Sequence, residues 1–243
     1  MTAQKLAAFD LDGTFFRWQL YHALVFQLAE DGALSSDSSS LLNKSLLEWQ
    51  AKRLSWHDYE SLVIKTLWNH LATIDTAAFE LASKRVLDTS GHKIYNYTSK
   101  LARDLQAKGY FLLAITASHQ ELAEPFAARY GFDACVGALL GRDGTNFTGT
   151  VDREIYAKKD SIIKEFALEH NLSLEGSVAV GDSGGDIGML ALVDTPIAFN
   201  PSSELYDTAV ENGWKIVIER KNVAYTMEKS NNGSYILAAT DTY

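Results

Sequence analysis

Leu6-Ala7-Ala8-Phe9-Asp10-Leu11-Asp12-Gly13-Thr14 is the stretch on which the rest of this chain turns. A short apolar run leads into two carboxylates one residue apart, followed by a Gly-Thr turn. Side chains alternate along a strand, so Asp10 and Asp12 reach a common point only if the strand stops between them and the backbone turns. Gly13 permits that turn. Two close carboxylates repel unless a proton or a cation separates them. The stretch therefore reads as a hard-metal site, as a nucleophile and acid pair, or as both. An Asp-Gly turn at a strand end is also ordinary loop chemistry, and the remainder of the chain decides between these readings.

The 243 residues, 47% of them hydrophobic and only 3 of them proline, suffice for one sizeable domain or for a domain carrying an inserted module. A net charge of −9 and a pI of about 5.1 argue against nucleic acid and anionic membrane as partners. The single cysteine, Cys135, excludes an internal disulfide, fits a reducing compartment and reads as a small core residue. A strand pattern starts almost at the N-terminus, without the basic flank, apolar core and cleavage site of a signal peptide. No apolar run approaches the length of a membrane span. A cytoplasmic location is expected.

Residues 17–90 show helical periodicity and hardly any strand signal. Leu20, Leu24 and Leu28, then Leu41, Leu42, Leu46 and Trp49, then Tyr59, Leu62 and Val63 recur at helix spacing. The serine run 35–40 reads as a loop with capping potential. Trp18, Trp49, Trp56 and Trp68 all fall in this block, which reads first as its own aromatic core and, if the block is an inserted cap, also as a wall facing a ligand. From His92 onward helices and strands alternate. Strands are expected at 110–115, 135–140, 177–180, 196–199 and 214–218, with a hairpin or flap at 141–149. Such alternation argues for a parallel sheet with helices on both faces. Residues 223–240, around Asn231-Asn232-Gly233, read as a further hairpin that extends the sheet edge or pairs across a dimer; a monomer or a homodimer is expected.

Gly181-Asp182-Ser183-Gly184-Gly185 matches the G-x-S-x-G of a nucleophile elbow. That fold needs a histidine after the serine, and none follows His170. The same string resembles the serine segment of trypsin-like proteases, with Ser118-His119 near the matching histidine. Two β-barrels are then required, whereas the first third of this chain is helical. Neither G-x-x-x-x-G-K-[ST] nor G-x-G-x-x-G occurs, and the six histidines show no zinc spacing.

Four strand-end features remain: Asp10 with Asp12, Thr116, Lys159, and Asp182 with Asp186. In a parallel sheet the carboxyl ends of the strands share one edge, so these groups converge although they lie far apart in sequence. Asp-x-Asp-Gly-Thr, a strand ending in Thr, then Lys, then Gly-Asp-x-x-x-Asp, in that order, resembles the signature of the haloacid-dehalogenase (HAD) superfamily. Residues 178–189 with Pro196-Ile197-Ala198-Phe199-Asn200-Pro201 and Gly213-Trp214 resemble its phosphoserine-phosphatase-like branch, subfamily IB. The resemblance implies an α/β fold, a Rossmann-like doubly wound parallel sheet over 1–16 and 91–221 with an inserted helical cap over 17–90, and leaves 222–243 as a tail.

It also implies a phosphatase. Asp10 would be the nucleophile that forms an aspartyl phosphate, and Asp12 the acid and then the base. An aspartate two residues after the nucleophile belongs to the family's phosphatases and not to its dehalogenases. Mg2+ would be held by Asp10, the backbone carbonyl of Asp12, and Asp182, with Asp186 in support. Thr116 and the N–H of Ala117 would hold phosphate oxygens near a helix N-terminus, and Lys159 would supply positive charge; Lys158 is its rival. In the cap, Gln19 stands where phosphoserine phosphatases carry the carboxylate for the serine ammonium, and Arg53 corresponds to their carboxylate-gripping arginine. Gly185 replaces an asparagine.

The expected partner is a small phosphorylated metabolite. With Gln19 neutral, no acid between Gly13 and Ala29, and Arg17 and His22 nearby, a neutral or anionic leaving group is expected unless a distant cap acid such as Asp58 or Glu60 folds over the site. Phosphoserine phosphatase proper, a phosphotransferase, and a non-catalytic relative that binds phosphorylated ligands are the alternatives.

Overall fold

A computed structural model describes residues 3–243. β1 (Gln4–Phe9) is followed by four helices in succession, α1 (Leu20–Glu30), α2 (Ser36–Gln50), α3 (Trp56–His70) and α4 (Thr76–Ser90). Then come α5 (Asn96–Ala107), β2 (Phe111–His119), α6 (Gln120–Arg129), β3 (Ala134–Asp143), β4 (Asn146–Arg153), α7 (Lys159–Glu169) and β5 (Leu172–Gly181). A 3-10 turn lies at Leu71–Thr73 between α3 and α4, and another at Gly184–Asp186 leads into α8 (Ile187–Leu190), β6 (Thr195–Phe199), α9 (Ser203–Asn212), β7 (Lys215–Arg220), β8 (Val223–Lys229) and β9 (Tyr235–Thr242).

All nine strands form one sheet in the order β4-β3-β2-β1-β5-β6-β7-β8-β9. The six strands from β3 to β7 are parallel, while β4 at one end and β8 and β9 at the other run antiparallel to their neighbours. This is the doubly wound α/β sheet expected from the alternation. The chain leaves β1 toward β2 on one side and later returns to β5 on the other, so a crevice opens at the carboxyl end of β1.

Period-two alternation splits β1 between two cores. Ala7 and Phe9 join Leu112, Ala114, Val180 and Phe199 under α5, α6 and the helical insertion. Leu6 and Ala8 join Leu113, Ala179 and Ala198 under α7, α8 and α9. With both faces covered, β1 is apolar throughout its buried part.

Three local readings need correction. The serine run does not form a loop: Ser35 is an N-cap whose hydroxyl accepts from the Ser38 N–H at 3.2 Å, and residues 36–40 already belong to α2. Short hydroxyl side chains are disfavoured inside helices but satisfy the free donors of a first turn. β2 does not stop at Ile115 but runs to His119, with a register shift against β3 between Ile115 and His119. β5 starts at Leu172, well before Ser177. No helix among the described residues is long and apolar enough to cross a membrane.

Candidate active site

The backbone anchors Asp10 by donating its N–H to Val180 O at 2.9 Å, beside β5. Leu11 O then accepts the N–H groups of Phe15 and Phe16 at 2.9 and 2.8 Å, so the chain doubles back within one turn. Gly13 makes this possible at φ +80°, where a Cβ would fall onto the Asp182 carboxylate. Thr14 Oγ1 donates to Asp182 Oδ1 at 3.2 Å and ties the turn to the end of β5.

Lys159, the first residue of α7 and 6% exposed, places its ammonium between two carboxylates, 2.5 Å from Asp10 Oδ1 and 2.6 Å from Asp186 Oδ1. Lys158 faces outward and pairs with Glu154 at 3.0 Å. Asp186 is fully buried. Its Oδ2 accepts from the N–H groups of Asp182 and Ser183 and from the Ser183 hydroxyl at 3.0–3.1 Å, a capping box that fixes the loop. Both oxygens of Asp186 are therefore engaged by protein donors.

Carboxylate oxygens of Asp10, Asp182 and Asp186 lie within 4.8 Å of one another. Burial pushes the Asp10 carboxyl up to about 7, with the charges of Asp186 and Asp12 adding to the rise and Lys159 opposing it. Asp182 is raised well above the ordinary carboxylate range by burial and by Asp10 and Asp186. An all-oxygen donor set of crowded, desolvated carboxylates fits a hard divalent cation.

Asp12 stands apart from that trio. Its Oδ2 accepts from Thr116 Oγ1 at 2.6 Å and its Oδ1 from the N–H of Leu20, the first residue of α1. Burial raises its carboxyl, and these hydrogen bonds only partly offset the rise. Thr116 is fully buried, and its hydroxyl also accepts from the Ser118 N–H at 3.0 Å. The Thr116 side chain thus holds Asp12, and the neighbours that line the open space are Ala117 and Ser118.

That space is a cavity of about 700 Å³ bounded by Asp10, Asp12, Lys159 and Asp182 below and by the helical insertion above. Gln19 lines it, and Arg53 does not. Arg53 bonds Glu48 at 2.6 and 2.9 Å on an exposed helix end. Arg17 also turns away, to Ile94 O at 2.7 Å and to the Glu219 carboxylate. His22 lies in the cavity wall, but burial lowers it to about 4.

Beyond Trp56, Trp68 and Glu60, which the sequence offered as cap residues that could face the site, several lining residues escaped the sequence reading. Ser118 Oγ and both ring nitrogens of His119 are buried without a partner. His119 is 4% exposed and packs between Tyr21 and Phe79, with ring centroids 5.2 and 5.3 Å away. Trp56, Glu60, Ile64 and Trp68 recur every fourth residue of α3 and all line the cavity. That spacing was visible in the sequence, as a stripe beside the buried Tyr59, Val63 and Leu67.

Comparison with known proteins gives a consistent picture. The family model described as haloacid dehalogenase-like hydrolase matches residues 7–191. Phosphoserine phosphatase SerB1 of Mycobacterium tuberculosis (strain ATCC 25618 / H37Rv) is 33% identical over 126 residues, 51% of this chain and 41% of that protein. The chain thus spans about two-fifths of the length of the first curated relatives it matches. Histidinol-phosphatase of Neisseria meningitidis serogroup C (strain 8013) is 24% identical over 229 residues, 88% of this chain and 98% of that protein. Among solved structures, a phospho-aspartyl intermediate analogue of phosphoserine phosphatase shares the fold with a TM-score of 0.62 at 21% identity, covering 90% of this chain and 95% of that one.

Proposed function

The chain belongs to the haloacid dehalogenase-like hydrolase family, and we propose that it is a Mg2+-dependent phosphatase of small phosphomonoesters, working through an aspartyl phosphate on Asp10 in the cytoplasm. The observation that carries this reading is the division of labour among the carboxylates. Asp10 sits with Lys159, Asp182 and Asp186, while Asp12 is held two residues away by Thr116 and Leu20, outside that cluster, and burial raises both carboxyls. Two acids pushed into different environments are the usual mark of different chemical roles. The relatives named as phosphatases support the same reading.

Asp10 and Asp182, with the backbone carbonyl of Asp12, would hold Mg2+, which when bound neutralises phosphate charge and leaves Asp10 free to approach an anion. Asp186 acts through Lys159 and the 182–186 loop, since its own oxygens are taken. An Asp10 carboxylate oxygen attacks phosphorus in line with the ester bond. That P–O bond breaks, and the proton on Asp12 goes to the departing alkoxide, releasing an alcohol. Asp12, now ionised, takes a proton from water as the water oxygen attacks the same phosphorus. The bond between phosphorus and Asp10 breaks, giving inorganic phosphate and returning both aspartates to their starting states. Lys159 and the backbone around Ala117 and Ser118 steady the phosphate oxygens. Residues 17–90 act as the cap that closes the cavity to water.

Turnover of p-nitrophenyl phosphate tests this. Activity is expected with Mg2+, none in excess EDTA, and none from Asp10→Asn. Undiminished turnover in EDTA would sink the mechanism.

A further inference from the structure

Away from its phosphate end, the cavity offers negative charge and aromatic faces but no cation. Among the described residues lining it, Lys159 is the one Lys or Arg, and its ammonium is held by Asp10 and Asp186. Of the other nearby basic groups, Arg17 pairs with Glu219, Arg53 with Glu48 and Lys158 with Glu154, while the exposed His57 on α3 is close enough to act on the charge of Glu60 without a salt bridge to it. His22 and His119 are each held near 4 by burial and are neutral at pH 7.

Glu60 presents the opposite situation. It lines the cavity, is partly buried, and has no salt-bridge partner among the described residues. Trp56 precedes it by one helical turn on the same face of α3, and Tyr21 stands on α1. Aromatic faces beside an unpaired carboxylate attract an organic cation. His119 adds an independent sign of a missing ligand, a neutral imidazole 4% exposed with neither nitrogen hydrogen-bonded, set in the cavity wall. Such a ring accepts a hydrogen bond from an ammonium. A carboxylate on the leaving group would lose its water here and meet no counter-charge.

We propose that the substrate is the phosphate monoester of an amino alcohol that carries no carboxylate, its ammonium held by Glu60 against Trp56 and Tyr21. This deepens the phosphatase reading and rests on it; the ammonium takes no part in bond making. It also replaces the neutral or anionic leaving group expected from residues 13–29, because Arg17 turns away, His22 is uncharged, and Glu60 reaches the site from α3.

The test is kcat/KM with Mg2+ for ethanolamine phosphate, histidinol phosphate, glycerol 3-phosphate and phosphoserine, with p-nitrophenyl phosphate as the activity control. The better amine ester is expected to exceed both glycerol 3-phosphate and phosphoserine by about tenfold or more, a factor worth about 1.4 kcal/mol. Glu60→Gln should narrow that preference about tenfold, mainly through KM, and Glu60→Asp should restore part of it. Equal or faster turnover of glycerol 3-phosphate or phosphoserine by the wild-type protein overturns the proposal. So does a Glu60→Gln enzyme that loses the same factor on every ester. Failure to hydrolyse even p-nitrophenyl phosphate would overturn the phosphatase reading itself, and the proposal with it.

Discussion

Gly13 has no room for a side chain and no freedom to change its backbone. At φ +80° any L-residue is strained, and a Cβ there would displace the Asp182 carboxylate. Gly13→Ala is expected to lower stability by about 1–3 kcal/mol and to weaken Mg2+ binding, read by thermal unfolding with and without the ion. On the proposed mechanism Asp12→Asn still binds Mg2+, because the contact proposed for Asp12 is its backbone carbonyl, yet loses about a hundredfold or more in kcat; near-full activity would refute the proposed acid and base role. Glu219 makes a third case. Its fully buried carboxylate pairs with Arg17 and accepts the N–H groups of Asn96 and Tyr97 at 3.2 and 2.8 Å. Glu219→Ala leaves those donors bare and should cost about 3 kcal/mol in chemical denaturation. The sequence made Asp10, Asp12, Lys159, Asp182 and Asp186 legible because strand ends in a parallel sheet meet at one edge. It hid the partner of Arg17, because a pairing across 202 positions leaves no local trace.

At the scale of elements, periodicity located the helices of the insertion but not the face each one turns to the site. α3 carries a core stripe at Tyr59, Val63 and Leu67 and a cavity stripe at Trp56, Glu60, Ile64 and Trp68, and apolar spacing alone does not rank them. The register shift in β2 was equally invisible, and it brings Ser118 and His119 to the cavity wall. The hairpin of β8 and β9 was readable from its Asn-Gly turn. It joins β7 through five residue pairs, and the single Tyr235 hydroxyl proton is shared between Ala209 O and Trp214 O, 2.8 and 2.7 Å from Oη. Deleting residues 223–243 should expose the β7 edge and lower the melting temperature by several degrees, since each kcal/mol is worth about 2–4 °C in a chain of this size. An unchanged melting temperature would make the hairpin a loose appendage.

For the molecule as a whole, the crowded carboxylates couple stability to pH. Asp10 is raised from 3.8 to about 7, so between those values the folded chain holds a proton that the unfolded chain releases. The stabilisation is complete below about pH 4 and is lost as pH rises through about 7. The proposed Mg2+ would bind the ionised form and reverse the loss, by about 2.7 kcal/mol at a hundred times its Kd. The rise in melting temperature on adding Mg2+ is therefore expected to be larger at pH 8 than at pH 5. An equal rise at both would separate Asp10 from the metal.

The central place of β1 has a consequence in time. Lys159 is synthesised 149 positions after Asp10, an interval of roughly 7–30 seconds at 5–20 residues per second. Once β2 has been made, β1 can pair with it while its other edge stays open until β5 follows. An open strand edge is a template for the wrong neighbour, so a nascent chain has to keep that slot vacant. The same order of synthesis assembles the site stepwise: Lys159 follows Asp10 by 149 positions, and the carboxylates of Asp182 and Asp186 come later still.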